Sequence, residues 1–162
     1  MPFPTSNWGQ PNWSDLYTAL PLGSGMQLGM TEILFDGSFV QFLQFVATTA
    51  ANKACTVSGN ATAYTVTPTS AAEQLVQCVN DRCGGGLGGT IVSVAANDYA
   101  WGTIRGISYP LVAASAAANK FVVSSSTSGT LAVYTAGTDI QGNIYNTVVV
   151  GGSAAASPCL IV

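Results

Sequence analysis

The chain has 162 residues, of which 48% are hydrophobic and only 7% charged, with four basic and seven acidic side chains and a formal net charge of −3. An ordinary soluble domain carries roughly 25% charged residues, so this surface is neutral and hydroxyl-rich, with no basic stripe to neutralise phosphates, and no nucleic-acid partner is expected. The length suits one domain, or a domain of about 120 residues with an ordered arm. No membrane-spanning apolar run is expected, and the opening segment MPFPTSNWGQPNW does not read as a leader.

Residues 1–34 read as an extended N-terminal arm. Pro2, Pro4, Pro11 and Pro21 remove backbone donors, and Gly9, Gly23, Gly25 and Gly29 interrupt any regular period. The arm nevertheless carries Phe3, Trp8, Trp13 and Tyr17, whereas a disordered tail is poor in aromatics. It is therefore expected to pack against its own domain or a neighbouring subunit, and these four aromatics are the candidate docking residues, because rigid aromatics dominate interface energies. One short helical turn is expected over Asp15 to Leu20.

From residue 35 to 162 the pattern is β-branched and aromatic runs punctuated by Gly, Asn, Asp and Ser, the signature of an all-β sandwich or barrel. Strands are expected near 38–47, 53–58, 62–67, 74–79, 89–95, 99–105, 110–114, 120–125, 130–135, 144–150 and 158–162. The segment SFVQFLQFVATTA also matches helical spacing through Phe35, Phe39, Phe42 and Phe45, but its aromatic content and the preceding Asp36-Gly37 turn favour strand. In YAWGTIRG, alternation sends Tyr99, Trp101, Thr103 and Arg105 to one face and Ala100, Gly102, Ile104 and Gly106 to the other, so small residues mark a close approach of a second strand or sheet. Tyr99 and Trp101 are assigned to the core. The alanine runs at 113–118 and 154–156 are too short for a convincing helix.

Histidine is absent, which removes the commonest general base, the Ser-His and Cys-His pairs and the commonest metal ligand. The carboxylates Asp15, Glu32, Asp36, Glu73, Asp81, Asp98 and Asp139 are scattered singly, mostly beside turn residues, so a paired-carboxylate site is not expected. Cys55, Cys78, Cys83 and Cys159 read as buried free thiols, or at most one disulfide, in preference to a zinc site. GGGLGGT at 84–90 lacks the Lys and helix of a phosphate loop and reads as a flexible turn. Arg82 and Arg105, half of the positive charge, are expected to hold specific partners, an intramolecular ion pair first. No enzyme, no metal and no cofactor are predicted.

The order formed by GGTIVSVAANDYAWGTIRG, then YPLVAASAAANKFVVSSSTSGTLAVY, then IYNTVVVGGSAAASPCLIV resembles that of the capsid decoration, or cement, proteins of tailed phages, over roughly residues 38–162. The resemblance implies a non-enzymatic structural protein of the virion exterior, assembled in the host cytoplasm, which binds the major capsid protein at symmetry-related junctions, often as a homotrimer, and strengthens the head. A head- or tail-fibre module of adhesin type that binds host glycans is the alternative, since neutral Asn, Gln, Trp and Tyr surfaces suit sugars.

Overall fold

In the computed structural model, residues 13–20, 26–65, 76–84, 90–125, 127–135 and 143–162 are described. Thirteen strands and no helix occur among them, so the chain is all-β. In chain order they are β1 (Leu16–Tyr17), β2 (Thr31–Ile33), β3 (Phe39–Phe45), β4 (Ala54–Ser58), β5 (Thr62–Thr65), β6 (Cys78–Val79), β7 (Tyr99–Ser108), β8 (Leu111–Val112), β9 (Lys120–Ser124), β10 (Leu131–Val133), β11 (Ile144–Asn146), β12 (Ala155–Ala156) and β13 (Cys159–Ile161).

Five of these strands close on themselves. β3 pairs with β5 in parallel; β5 with β4, β4 with β6, β6 with β7 and β7 with β3 pair antiparallel. Closure removes the exposed edges that a small sheet would otherwise present. The lumen is filled by Leu43, Phe45, Cys55, Ala63, Cys78 and Ala100, all fully buried. Small side chains let the walls approach: a Cβ at Gly102 would lie 3.3 Å from the Val79 carbonyl oxygen and 3.5 Å from the Cys78 Cβ. The small-residue face expected for YAWGTIRG is thus the inner face of this barrel.

β7 is the strand that joins the two parts of the fold. Its first half belongs to the barrel, and beyond Gly106, whose φ is +89°, its last residues pair with β13. The sheet then runs β13, β11, β9, β10, β8 and β12. Alternation along these short strands buries Val112, Val122, Leu131, Ile144, Cys159 and Ile161 against Ala54 and Val79, which project outward from the barrel wall. One sheet face therefore closes over the barrel, and the other is left to solvent.

A third apolar cluster covers the outer side of β3 and β7. Val40, Phe42 and Trp101 are fully buried there, and Tyr17, Trp13, Met26, Met30 and Leu34 pack over them. β1 pairs with β7 and β2 with β3, so two short stretches of the first 34 residues, Leu16–Tyr17 and Thr31–Ile33, are members of the sheet.

Several expected elements need correction. Asp15 to Leu20 forms no helical turn: Leu16 and Tyr17 lie opposite Ala100 and Tyr99 and make a strand, because burying Tyr17 on Phe42 outweighs a turn's worth of local hydrogen bonds. In 89–95, residue 89 lies outside the described residues and 90–95 contribute one bridge, Thr49 to Val94. The expected strand at 144–150 ends at Asn146, whose side chain takes over the local carbonyls. Ala155 and Ala156 pair with β8.

Candidate docking surface

The turn that connects β2 to β3 is built tightly from Leu34 to Ser38. The Leu34 amide donates to the Ser38 carbonyl at 2.8 Å and the Gly37 amide to the Leu34 carbonyl at 3.0 Å. The Ser38 amide donates to Asp36 Oδ1 at 2.8 Å, an Asx arrangement natural to Asp-Gly turns, and Gly37 takes the positive φ of +80°. Arg82 Nη2 lies 3.9 Å from Asp36 Oδ2 and donates to the Ile107 carbonyl at 3.2 Å, while Ser38 Oγ donates to the same carbonyl at 3.3 Å. The turn is therefore tied to β7.

That rigid turn presents Phe35, which is fully exposed (103% of the reference area), beside Ile33 at 62%. Ile33, Phe39 and Arg105 lie in register across β2, β3 and β7, and the Arg105 guanidinium sits 5.8 Å from the Phe39 ring centroid. Two residues on, Ile107 begins a second row. Ile107 pairs with Leu160, Leu160 with Tyr145, and Tyr145 with Phe121. Ile107 and Leu160 are each about two-fifths exposed, and the Tyr145 and Phe121 rings meet edge-on at 5.3 Å. The two rows share β7, and Ile33, Phe35, Ile107 and Leu160 are exposed apolar side chains of these strands and of the turn before β3. Exposed apolar surface marks interaction sites where it is contiguous.

Of the four aromatics expected to dock, Phe3 and Trp8 lie outside the described residues. Tyr17 is 8% exposed and stacks edge-on against Phe42 at 5.7 Å, and Trp13 is half-buried in the same cluster. Both side chains hold the N-terminal segment on its own domain. Tyr99 and Trp101 pack in that cluster as expected, with Phe42 5.3 Å from Trp101.

Asp81 and Arg82 are both buried. Asp81 accepts from Thr103 Oγ1 at 2.6 Å, Ser108 Oγ at 2.7 Å and the Tyr109 amide at 2.9 Å. Burial pushes the Asp81 carboxyl up, against the downward pull of Arg82 and these three donors. Arg82 thereby has the intramolecular partners expected of it, whereas Arg105 is exposed and lies over an aromatic ring. The four cysteines are free and buried, and no cluster of three potential metal ligands occurs among the described residues.

A shallow pocket of about 420 Å³ opens at one end of the barrel, lined by Gln41, Val57, Ser58, Gly59, Gln77 and Ile104. Gln41 Nε2 already donates to the Gly29 carbonyl, and Gln77 Oε1 accepts from Thr56 Oγ1 and the Val57 amide. None of these lining residues is an acid, a base or a thiol, so the pocket offers neutral hydrogen bonding and no general acid or base.

The outward-facing apolar side chains do leave a signal in the sequence. Phe35 precedes an Asp-Gly turn and so stands at a hairpin tip, and the alternation in β9, β11 and β13 assigns Phe121, Tyr145 and Leu160 to the face opposite the core. No protein-family model, curated protein or solved structure matches the chain.

Proposed function

We propose that this chain is a structural virion protein of the decoration, or cement, type, which docks on the outer face of a capsid lattice and stabilises the shell without catalysing a reaction. The observation that carries this reading is the fully exposed Phe35 on a turn held by four hydrogen bonds and an ion pair, next to an in-register apolar row. A pre-ordered aromatic knob enters a partner's pocket with little further loss of conformational entropy. The scarcity of charge supports it, because a surface covered by neighbours in an assembly has little need of self-repulsion. The capsid as partner, and assembly as a homotrimer at its symmetry junctions, rest on the resemblance to cement proteins.

The mechanism is mass action. A protein that binds assembled capsomers and not free ones lowers the free energy of the assembled shell by its binding free energy, multiplied over its copies. Modest affinity per copy then suffices.

The test is co-sedimentation of the purified full chain with shells assembled from tailed-phage major capsid protein. Saturable binding in many copies per shell, weakened at least tenfold by Phe35→Ser, and an upward shift of the shell's disruption temperature are expected. Binding that is absent, or indifferent to Phe35→Ser and Ile33→Thr together, would overturn the reading. The neutral, amide-lined barrel pocket favours one second reading, a fibre or adhesin module for host glycans; glycan binding abolished by Gln77→Ala with no shell binding would select it.

A further inference from the structure

Three of the four cysteines, Cys55, Cys78 and Cys83, converge on one apolar cluster in the barrel. Two of them stand opposite each other. Cys55 on β4 and Cys78 on β6 are direct cross-strand partners in an antiparallel ladder, and both side chains are fully buried in the lumen. Direct partners in such a ladder have Cα atoms about 4.5–5.5 Å apart, within the roughly 4.4–6.8 Å span that a disulfide bridges. Their side chains leave the sheet on the same side, and the two thiols are within hydrogen-bonding reach of each other.

We propose that Cys55 and Cys78 are a disulfide-forming site, open as dithiol in a reducing compartment and closed into a cross-strand bond by a disulfide oxidant. This inference stands independently of the capsid reading. In the reaction, one cysteine thiolate attacks an oxidant RSSR and expels RS⁻, leaving a mixed disulfide. The second cysteine, once deprotonated, attacks the protein sulfur of that intermediate and expels a second RS⁻. The two cysteine protons end on two molecules of RSH, and the oxidant gains the two electrons lost by the pair.

The site is slow by construction. The Cys78 thiol is held well above the usual thiol range, first by its hydrogen bond with Cys55 and then by burial, so thiolate is scarce while the barrel is closed. Access depends on opening of β6, which has two residues and meets β7 through one paired position. Once formed, the bond closes a loop of roughly two dozen residues and constrains the unfolded chain. It also ties the short β6 to β4.

The experiment incubates the full chain with oxidised glutathione, quenches with an alkylating reagent under denaturing conditions, and maps peptides by mass spectrometry. Loss of two hydrogens from the intact mass, a Cys55–Cys78 linked peptide and free, alkylated Cys83 and Cys159 are expected, with Tm raised by about 5–10 °C. Cys55→Ser and Cys78→Ser should each trap a glutathione adduct in place of the cross-link; if either variant fails to fold, the peptide map of the unsubstituted chain decides alone. Four alkylated thiols after prolonged exposure, a bond through Cys83, or a stable glutathione adduct on the unsubstituted chain would overturn the proposal.

Discussion

Thr103 Oγ1 donates to Asp81 Oδ1 at 2.6 Å while accepting from Arg82 Nε at 2.7 Å, so one hydroxyl closes a buried ion pair whose direct N–O separation is 3.6 Å. A charge taken out of water must be paired and hydrogen-bonded, or its desolvation is uncompensated. Thr103→Val keeps the shape and removes the hydroxyl, leaving both charges one partner short. A loss of about 2–3 kcal/mol in denaturant-induced unfolding is expected, with Thr103→Ser recovering most of it. A valine variant within about 0.5 kcal/mol of the parent would mean that the hydroxyl is not a required link.

The β character of the chain was legible from composition and spacing, because β-branched runs separated by turn residues have few other readings. Alternation along YAWGTIRG identified the faces of β7 before its partners were known. Its partners were not legible: parallel pairing of β3 with β5 and closure through the two-residue β6 depend on contacts remote in sequence. Local pattern also carries little information about two-residue strands such as β1 and β12, whose existence rests on tertiary packing. The aromatics of the first 34 residues show a related limit. Their number suggested an arm packed against its own domain or a neighbouring subunit, and pattern alone does not choose between these; Tyr17 has a complementary ring in Phe42 on its own sheet, whereas Phe35 sits at a turn with no partner ring among the described residues.

Two glycines with similar backbone angles should respond unequally to alanine. Gly106 has φ +89°, and a Cβ there would lie 2.8 Å from the Ser38 Cα, a backbone atom that cannot step aside alone. Gly37 has φ +80° with nothing within 4 Å of an added Cβ. Gly37→Ala should cost about 1–2 kcal/mol from the left-handed conformation alone. Gly106→Ala adds the steric clash and should cost more than about 3 kcal/mol, or leave no folded protein. Equal costs in equilibrium unfolding would show that the contact with Ser38 relaxes freely.

Asn146 ties together three segments around the second sheet. Its Nδ2 donates to the Ala117 carbonyl at 3.0 Å and the Val148 carbonyl at 2.6 Å, and its Oδ1 accepts from Ser157 Oγ at 2.7 Å. The residue is fully buried. Asn146→Leu replaces a satisfied amide by a similar volume and leaves two carbonyls and one hydroxyl without it, for an expected loss of about 2–4 kcal/mol. Asn146→Asp keeps the acceptor, forfeits both donors and buries a charge, and should cost more at neutral pH than at pH 3. Indifference of either variant would overturn the role of the amide as a tie.

Alkaline conditions should unfold this protein through its thiols. Burial pushes the Cys159 thiol from the ordinary 9.0 up to about 12, and burial with the nearby Asp15 and Asp98 charges pushes Cys83 up to about 11. A group whose folded pKa lies above its unfolded value contributes stability that is complete below the unfolded pKa and is lost as pH rises through the folded one. From pH 9 the unfolded chain releases these protons while the folded chain keeps them, so stability falls progressively between pH 9 and about 12. Tyr17, raised from 10.0 to about 12 chiefly by burial, adds to the same slope. Cys159→Ala lowers stability at neutral pH by the packing it removes from the second core, yet its curve of unfolding free energy against pH should be shallower across that window. The measurement is denaturant unfolding at intervals from pH 8 to 12 with a reductant present, and parallel curves for the two proteins would show that the Cys159 proton is not held by the fold.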